Sequence, residues 1–178
     1  LLNLNKLELA ANHITQIDAE AFTGLNQLMH LDLSMNQLTH IPATAFHKLT
    51  NLRVLILSMN QIRSIDEKTF YGLNRLEFLG LGGNQLTSLK PDTFAGLNNL
   101  IQLDLSPNRL STIDKKLFRD LTNLRELFLA ENQLFYIDRN AFENLGKLMF
   151  LFLNMNRLGF IERGTFKGLK NVVKLDMA

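Results

Sequence analysis

No cysteine occurs in the 178 residues. Disulfides therefore cannot hold the chain together, and the redox compartment cannot be read from bridges. No Asn-X-Ser/Thr acceptor occurs either, so glycosylation gives no sign of secretion. Only three prolines are present, Pro42, Pro91 and Pro107, each placed where a turn suits it. No apolar run approaches the roughly 18 residues that a membrane span needs, and the N-terminus lacks the basic-then-apolar layout of a signal peptide. The net charge of +2 is small for this length, so the pI near 9.0 reflects a slight cationic excess. A nucleic-acid footprint would need clustered Lys and Arg.

What is abundant is hydrophobic residues, 46% of the chain, spread evenly rather than gathered into one segment. Asparagine recurs at Asn12, Asn36, Asn60, Asn84, Asn108, Asn132 and Asn156, and phenylalanine at Phe22, Phe46, Phe70, Phe94, Phe118, Phe142 and Phe166, both with a 24-residue step. A fixed period in the twenties predicts a solenoid whose units stack on their neighbours. Each unit fits L-x-x-L-x-L-x-x-N-x-[LI]-x-x-[LI]-x-x-x-x-F-x-x-L-x-x. Full units run 4–27, 28–51, 52–75, 76–99, 100–123, 124–147 and 148–171, with partial units at both ends and no insertion or linker.

The alternation in Leu31-Asp32-Leu33 is that of a strand with one buried face. Units this short cannot return by a hairpin, so successive strands are predicted to stack in parallel about 4.8 Å apart. Leu38 and Ile41 turn inward on the way down, and Phe46 and Leu49 fill the far side of the coil. A lone coil exposes both broad faces and its strand edges, and only neighbouring coils cover them. Where the strand turns into the core, backbone groups lose their ladder partners. An inward asparagine amide supplies both a donor and an acceptor and can bridge one coil to the next; aspartate would offer acceptors only, with a charge to bury. Acids at Asp18, Asp66, Asp114, Asp138 and Glu162 open the convex paths, where they can cap a turn or short helix.

This pattern resembles the leucine-rich repeat, and its 24-residue form resembles the typical subfamily of extracellular receptors. The runs LDLSMNQL, LILSMNQI and LDLSPNRL, with I-D-x-x-x-F at Ile17–Phe22, Ile65–Phe70 and Ile137–Phe142, are similar to Toll and Toll-like receptor ectodomains and related animal receptors. The resemblance implies an α/β solenoid, a horseshoe with a parallel sheet on the concave face and irregular, turn or short-helix convex segments. It also implies ligand binding on the concave surface or a flank, and an extracellular or cell-surface location. Leu1-Leu2-Asn3 reads as the tail of a previous unit, and the eighth unit stops after its strand, so residues 1–178 are expected to be the middle of a longer array whose caps are missing.

Fixed letters build the coil, so function is expected in the variable ones. The residues flanking the second leucine of each strand should point to the concave face. There Val54, Ile56 and Phe78, beside Met35 and Met59, form one apolar island, and Phe128, Phe150 and Phe152, beside Met149 and Met155, form another. Phe128 and Phe152 fall on neighbouring rungs and could touch. Gly80, Gly82 and Gly83 are expected to leave a hollow between the islands, bordered by Gln102, Asp104 and Glu126. Aromatics on a solvated strand face mark a contact surface; the alternative is strand propensity and cross-rung stacking. Phe135, Tyr136 and Phe160 follow the turn on the descending flank, where they either form a lateral homodimer surface or lie partly under the next coil.

Catalytic arrangements are missing. His13, His30, His40 and His47 occupy different columns without metal-ligand spacing, Asp32, Asp104 and Glu8 are separated by rungs, and Ser34, Ser58 and Ser106 lack a His–Asp constellation. The LGLGGN run at Gly80–Gly83 is followed by no phosphate-loop helix. Arg53 and Arg125, read as concave, are offset by Glu77 and Glu126. The expectation is a non-catalytic recognition module without cofactor or metal, binding protein or another macromolecular ligand. A matrix or adhesion spacer and an engineered or bacterial repeat scaffold are the rival readings.

Overall fold

The computed structural model describes residues 1–178. Each alternating triplet becomes a strand: β1 (Lys6–Glu8), β2 (His30–Asp32), β3 (Val54–Ile56), β4 (Phe78–Gly80), β5 (Gln102–Asp104), β7 (Glu126–Phe128), β9 (Phe150–Phe152) and β10 (Lys174–Asp176). These eight form one parallel sheet in chain order. Leu31 pairs with Leu55, Leu55 with Leu79 and Leu79 with Leu103, so the register advances one unit per rung. Two more short strands, β6 (Thr112–Ile113) and β8 (Tyr136–Ile137), pair in parallel on the descending path. Nothing in the repeat pattern distinguishes those two units from the rest.

The convex path is made of turns. Ala45 donates its N–H to the Pro42 carbonyl, Thr69 to Asp66, Thr93 to Lys90, Leu117 to Asp114 and Ala141 to Asp138, each three residues back. Of the convex forms left open by the sequence, the turn is the one adopted. Two of the opening acids cap these turns: Asp18 Oδ1 accepts from Glu20 N–H at 2.8 Å and Asp114 Oδ1 from Lys116 N–H at 2.7 Å, whereas Asp138 Oδ2 accepts from Lys115 N–H of the coil before at 3.0 Å.

Inside, the leucines and the phenylalanine column form a single continuous core. Phe46, Phe70, Phe94, Phe118 and Phe142 are at most 1% exposed. Their rings stack on the next coil's at 6.1–6.3 Å from Phe70 to Phe166 and at 6.0 Å between Phe22 and Phe46. On the sheet side, Phe128 and Phe152 stack at 4.9 Å, close to the spacing of paired strands. Coils set wider on the phenylalanine side than on the strand side must curve, and the curve places the sheet on the inside.

Candidate functional site

The asparagine column fixes how one strand is set against the next. Asn108 Nδ2 donates to the carbonyls of Leu105, in its own coil, and Leu81, in the coil before, both at 3.0 Å. Its Oδ1 accepts from Leu86 N–H at 3.0 Å. Asn36, Asn60, Asn84, Asn132 and Asn156 make the same three kinds of bond. Five of the column, Asn36 through Asn132, are buried and Asn156 is half-buried. Asn12 differs: it is exposed and bonds only the Leu9 and Ala10 carbonyls of its own coil. The inter-coil partners of every other member come from the preceding coil, and Asn12 sits on the first. These rigid bridges hold the outward residues of the strands at fixed spacing.

On the concave face Val54, Ile56, Phe78, Gln102, Asp104, Glu126, Phe128, Phe150 and Phe152 are all half-buried, neither swallowed by the core nor fully in water. Val54 lies directly beside Phe78, and Ile56 beside Gly80. In the second island the Phe128 and Phe152 rings are within 4° of parallel. The Lys174 ammonium stands 5.0 Å from the Phe152 ring centre, a cation–π cap on the end of the stack. Met35, Met59 and Met155 rim the islands at 57–65% exposure. Each of these methionines sits at φ of 55–58°, in the left-handed region that the turn before the asparagine demands.

The hollow expected over Gly80, Gly82 and Gly83 does not exist. A methyl on Gly80 would lie 2.9 Å from Ser58 Oγ and 3.1 Å from Phe78, so neighbouring rungs already fill that space. At Gly82 it would collide with the Ser106 carbonyl, and at Gly83 it would stand 2.6 Å from Met59 Sδ. At Gly82 the crowding comes from the backbone beside Pro107. Pro107 occupies the column that elsewhere takes positive φ, a conformation closed to proline. Gly83 N–H is bonded to the Pro107 carbonyl, whereas Met35 on the equivalent rung bonds Ser58. The Ser106 carbonyl turns toward Gly82 instead. Gly82 makes room for the next coil's backbone, a use that the sequence signalled only through Pro107 one rung away, whereas Gly80 and Gly83 make room for Ser58 and Met59 of the coil before.

Beside the glycines, Asp104 Oδ1 accepts from Ser106 N–H at 2.8 Å. Burial pushes the Asp104 carboxyl above its ordinary value, and this backbone bond only partly opposes the shift. Ser106 Oγ is buried without a partner.

The flanks differ from expectation too. Arg53 and Arg125 are not concave; together with Arg75, Glu77, Asn99, Ile101 and Asn123 they line a hollow of about 420 Å³ along the edge where the strands begin. On the opposite flank Phe135 and Phe160 are exposed, at 58% and 70%, whereas Tyr136 is half-buried in β8. Hydrogen bonding to Asp138 raises the Tyr136 hydroxyl pKa, aided by desolvation and the Glu162 charge.

The profile of the leucine rich repeat family matches residues 3–62, 28–86, 79–134 and 122–178, which together take in nearly the whole chain. This chain belongs to the leucine-rich repeat family. Its repeat array superimposes on the crystal structure of a TLR13–ssRNA13 complex with a TM-score of 0.92 and 32% identity, over 97% of this chain and 24% of that one. A second solved structure, a Toll–Spatzle complex described as a molecular hub in Drosophila development and innate immunity, matches with a TM-score of 0.85 and 29% identity, over 94% of this chain and 23% of that one. The leucine-rich repeat chain thus spans about a quarter of the length of these relatives. No curated protein sequence matches it. The resemblance to Toll and Toll-like receptors read from the repeat runs holds in both fold and sequence.

Proposed function

We propose that this array is a non-catalytic ligand-recognition module of a receptor-type leucine-rich-repeat ectodomain, working outside the cell or in a compartment continuous with the outside. It binds a protein or another macromolecule on the concave face, chiefly through Phe128, Phe150 and Phe152, with Val54, Ile56 and Phe78 as a second patch. The carrying observation is the half-exposed, stacked Phe128–Phe152 pair. The interior already has its own phenylalanine column, so these rings are surplus to the core. Rings held by a rigid array lose little freedom on docking, and aromatic anchors dominate interface energetics. The two solved neighbours are both complexes with macromolecules, one with RNA and one with a protein, which supports a macromolecular ligand here. Binding energy invested in shape alone calls for no acid–base pair; Glu8 and Asp32, expected to be set apart, fall on paired positions of adjacent strands, but Glu8 is held by Lys6 and Asp32 accepts from Ser34 N–H.

The test is capture of ligand by the immobilised chain, compared with Phe152→Glu and Ile56→Glu. The expected outcome is binding reduced about tenfold or more with an unchanged melting temperature. Equal capture by all three proteins would remove the concave face from the proposal. A lateral homodimer through Phe135 and Phe160 is a separate contact, read out by sedimentation of the chain against Phe160→Glu.

A further inference from the structure

Six of the nineteen Lys and Arg side chains stand in ion pairs, and one hollow gathers three guanidinium groups around itself. On the convex side Lys48 pairs with Glu20 at 2.9 Å, Arg119 with Asp92 at 2.8 Å and Lys167 with Glu143 at 2.6 Å. The edge hollow is different. Three guanidinium groups, Arg53, Arg75 and Arg125, line it against a single carboxylate, Glu77, which Arg53 holds at 2.7 Å. Arg75 is bonded to an amide oxygen, Asn51 Oδ1, at 2.6 Å, and neither Arg75 nor Arg125 has a carboxylate within ion-pair distance. Just beyond the rim Lys147 reaches Asn123 Oδ1 at 2.6 Å and adds a further cation.

The asparagines of the hollow are committed to structure. Asn99 Nδ2 donates to the Asn74 carbonyl and Asn123 Nδ2 to the Asn98 carbonyl, both at 2.7 Å, which tie each coil to the one before. What remains free to act is a pair of uncompensated guanidinium forks, with Ile101, 39% exposed, as the only apolar floor.

We propose that this edge hollow is an anion site for carboxylate side chains, taken from an acidic loop of a protein ligand. Guanidinium forks match carboxylates in bidentate geometry, and the volume lies at the lower end of the range for binding pockets, enough for one or two side chains. A phosphodiester strand is the poorer fit. A strand tracking the rungs from Arg53 to Arg125 would have to pass Glu77 inside the hollow and Glu126 and Asp104 on the adjoining concave face, and each phosphate would meet a like charge. A loop that dips in from outside avoids Glu126 and Asp104, and meets Arg75 and Arg125 together with a Glu77 already neutralised by Arg53. The hollow runs from the coil of Val54 to the coil of Phe128, so one ligand can reach it and both islands, but its own lining includes no island residue.

The experiment is a titration of the intact chain at low ionic strength with an end-blocked hexaglutamate peptide, a matched hexaglutamine peptide and a single-stranded oligouridine. Hexaglutamate is expected to bind and hexaglutamine not. Arg75→Gln with Arg125→Gln should weaken hexaglutamate binding about tenfold, whereas Arg109→Gln with Arg157→Gln, on other parts of the surface, should leave it unchanged. Because these side chains are exposed, all variants should melt with the parent. Phe152→Ser should leave peptide binding intact, which separates failure of the concave-face reading from failure of this one. Equal binding of both peptides, indifference to the Arg75 and Arg125 changes, or oligouridine held at the same arginines more tightly than hexaglutamate would overturn the assignment.

Discussion

Two sets of phenylalanines run along this solenoid, and both stack across coils at the 24-residue step. The interior pairs Phe22–Phe46 and Phe70 through Phe166 lie 6.0–6.3 Å apart, and Phe46 through Phe142 are almost wholly removed from water. The concave pair Phe128 and Phe152 is closer, 4.9 Å, yet half open. The same side chain in the same relation thus has two consequences. In the interior it fills volume that nothing else can fill. On the concave face it covers a neighbour that would otherwise be covered by water. The tighter stack is therefore the one that stability needs less, because burial, rather than ring contact alone, sets the energetic scale.

That contrast can be broken most severely from the inside. Phe118→Ala is expected to destabilise the array by about 3–5 kcal/mol, measured by denaturant unfolding, because it leaves a cavity between two stacked neighbours. A loss below about 1 kcal/mol would erase the distinction between the two sets. The next largest effect is expected at Asn108→Ala, about 3 kcal/mol, since the Leu81 and Leu105 carbonyls and the Leu86 N–H all lose their partner. The same change at Asn12, exposed and bonded only within its coil, should cost a small fraction of that.

Gly82→Ala is expected to lower stability by about 1–3 kcal/mol, because its methyl meets the Ser106 carbonyl; a neutral result would restore the idea of an open hollow between the islands. Phe152→Ser, by contrast, should lower stability by less than about 1 kcal/mol, the scale of a cross-strand pair. At the rim, Met59→Gly should raise stability by a few tenths to about 1 kcal/mol, since it relieves a left-handed backbone at φ 58°. The smallest effect is electrostatic. Burial raises the folded-state pKa of Asp104, so its stabilising contribution is full below its unfolded pKa and is lost as pH rises through the folded value. Asp104→Asn keeps the acceptor for Ser106 N–H and should therefore be the more stable protein at neutral pH, with the advantage vanishing on acidification. An advantage that grows toward low pH would mean that folding lowers the Asp104 pKa instead.

Much of the coil could be read directly because each fixed letter answers to a local demand. Leu31 and Leu33 alternate, Asn36 needs a donor and an acceptor, and Phe46 returns one step later. The candidate surface was legible in part: the columns through Val54, Phe78 and Phe128 are continuous in register, as alternation implies. The arginine hollow was not legible, because Arg53 and Arg75 lie 22 residues apart in sequence and share a cavity only once coils are stacked. Nor was the filling of the glycine positions, which depends on Ser58 and Met59 of the coil before and, at Gly82, on the Ser106 carbonyl of the coil after.

The sequence by itself determined the repeat, the parallel register and the inner and outer columns, since a 24-residue period with one buried strand face admits one way of stacking. Tertiary structure alone decided which outward side chains meet. Curvature and rung spacing brought Phe128 onto Phe152, left Arg75 and Arg125 without acids, and closed the space above Gly80 and Gly82. The physical reason is that periodicity is a property of single positions, whereas contacts between variable residues depend on the distance between coils, which no one position encodes.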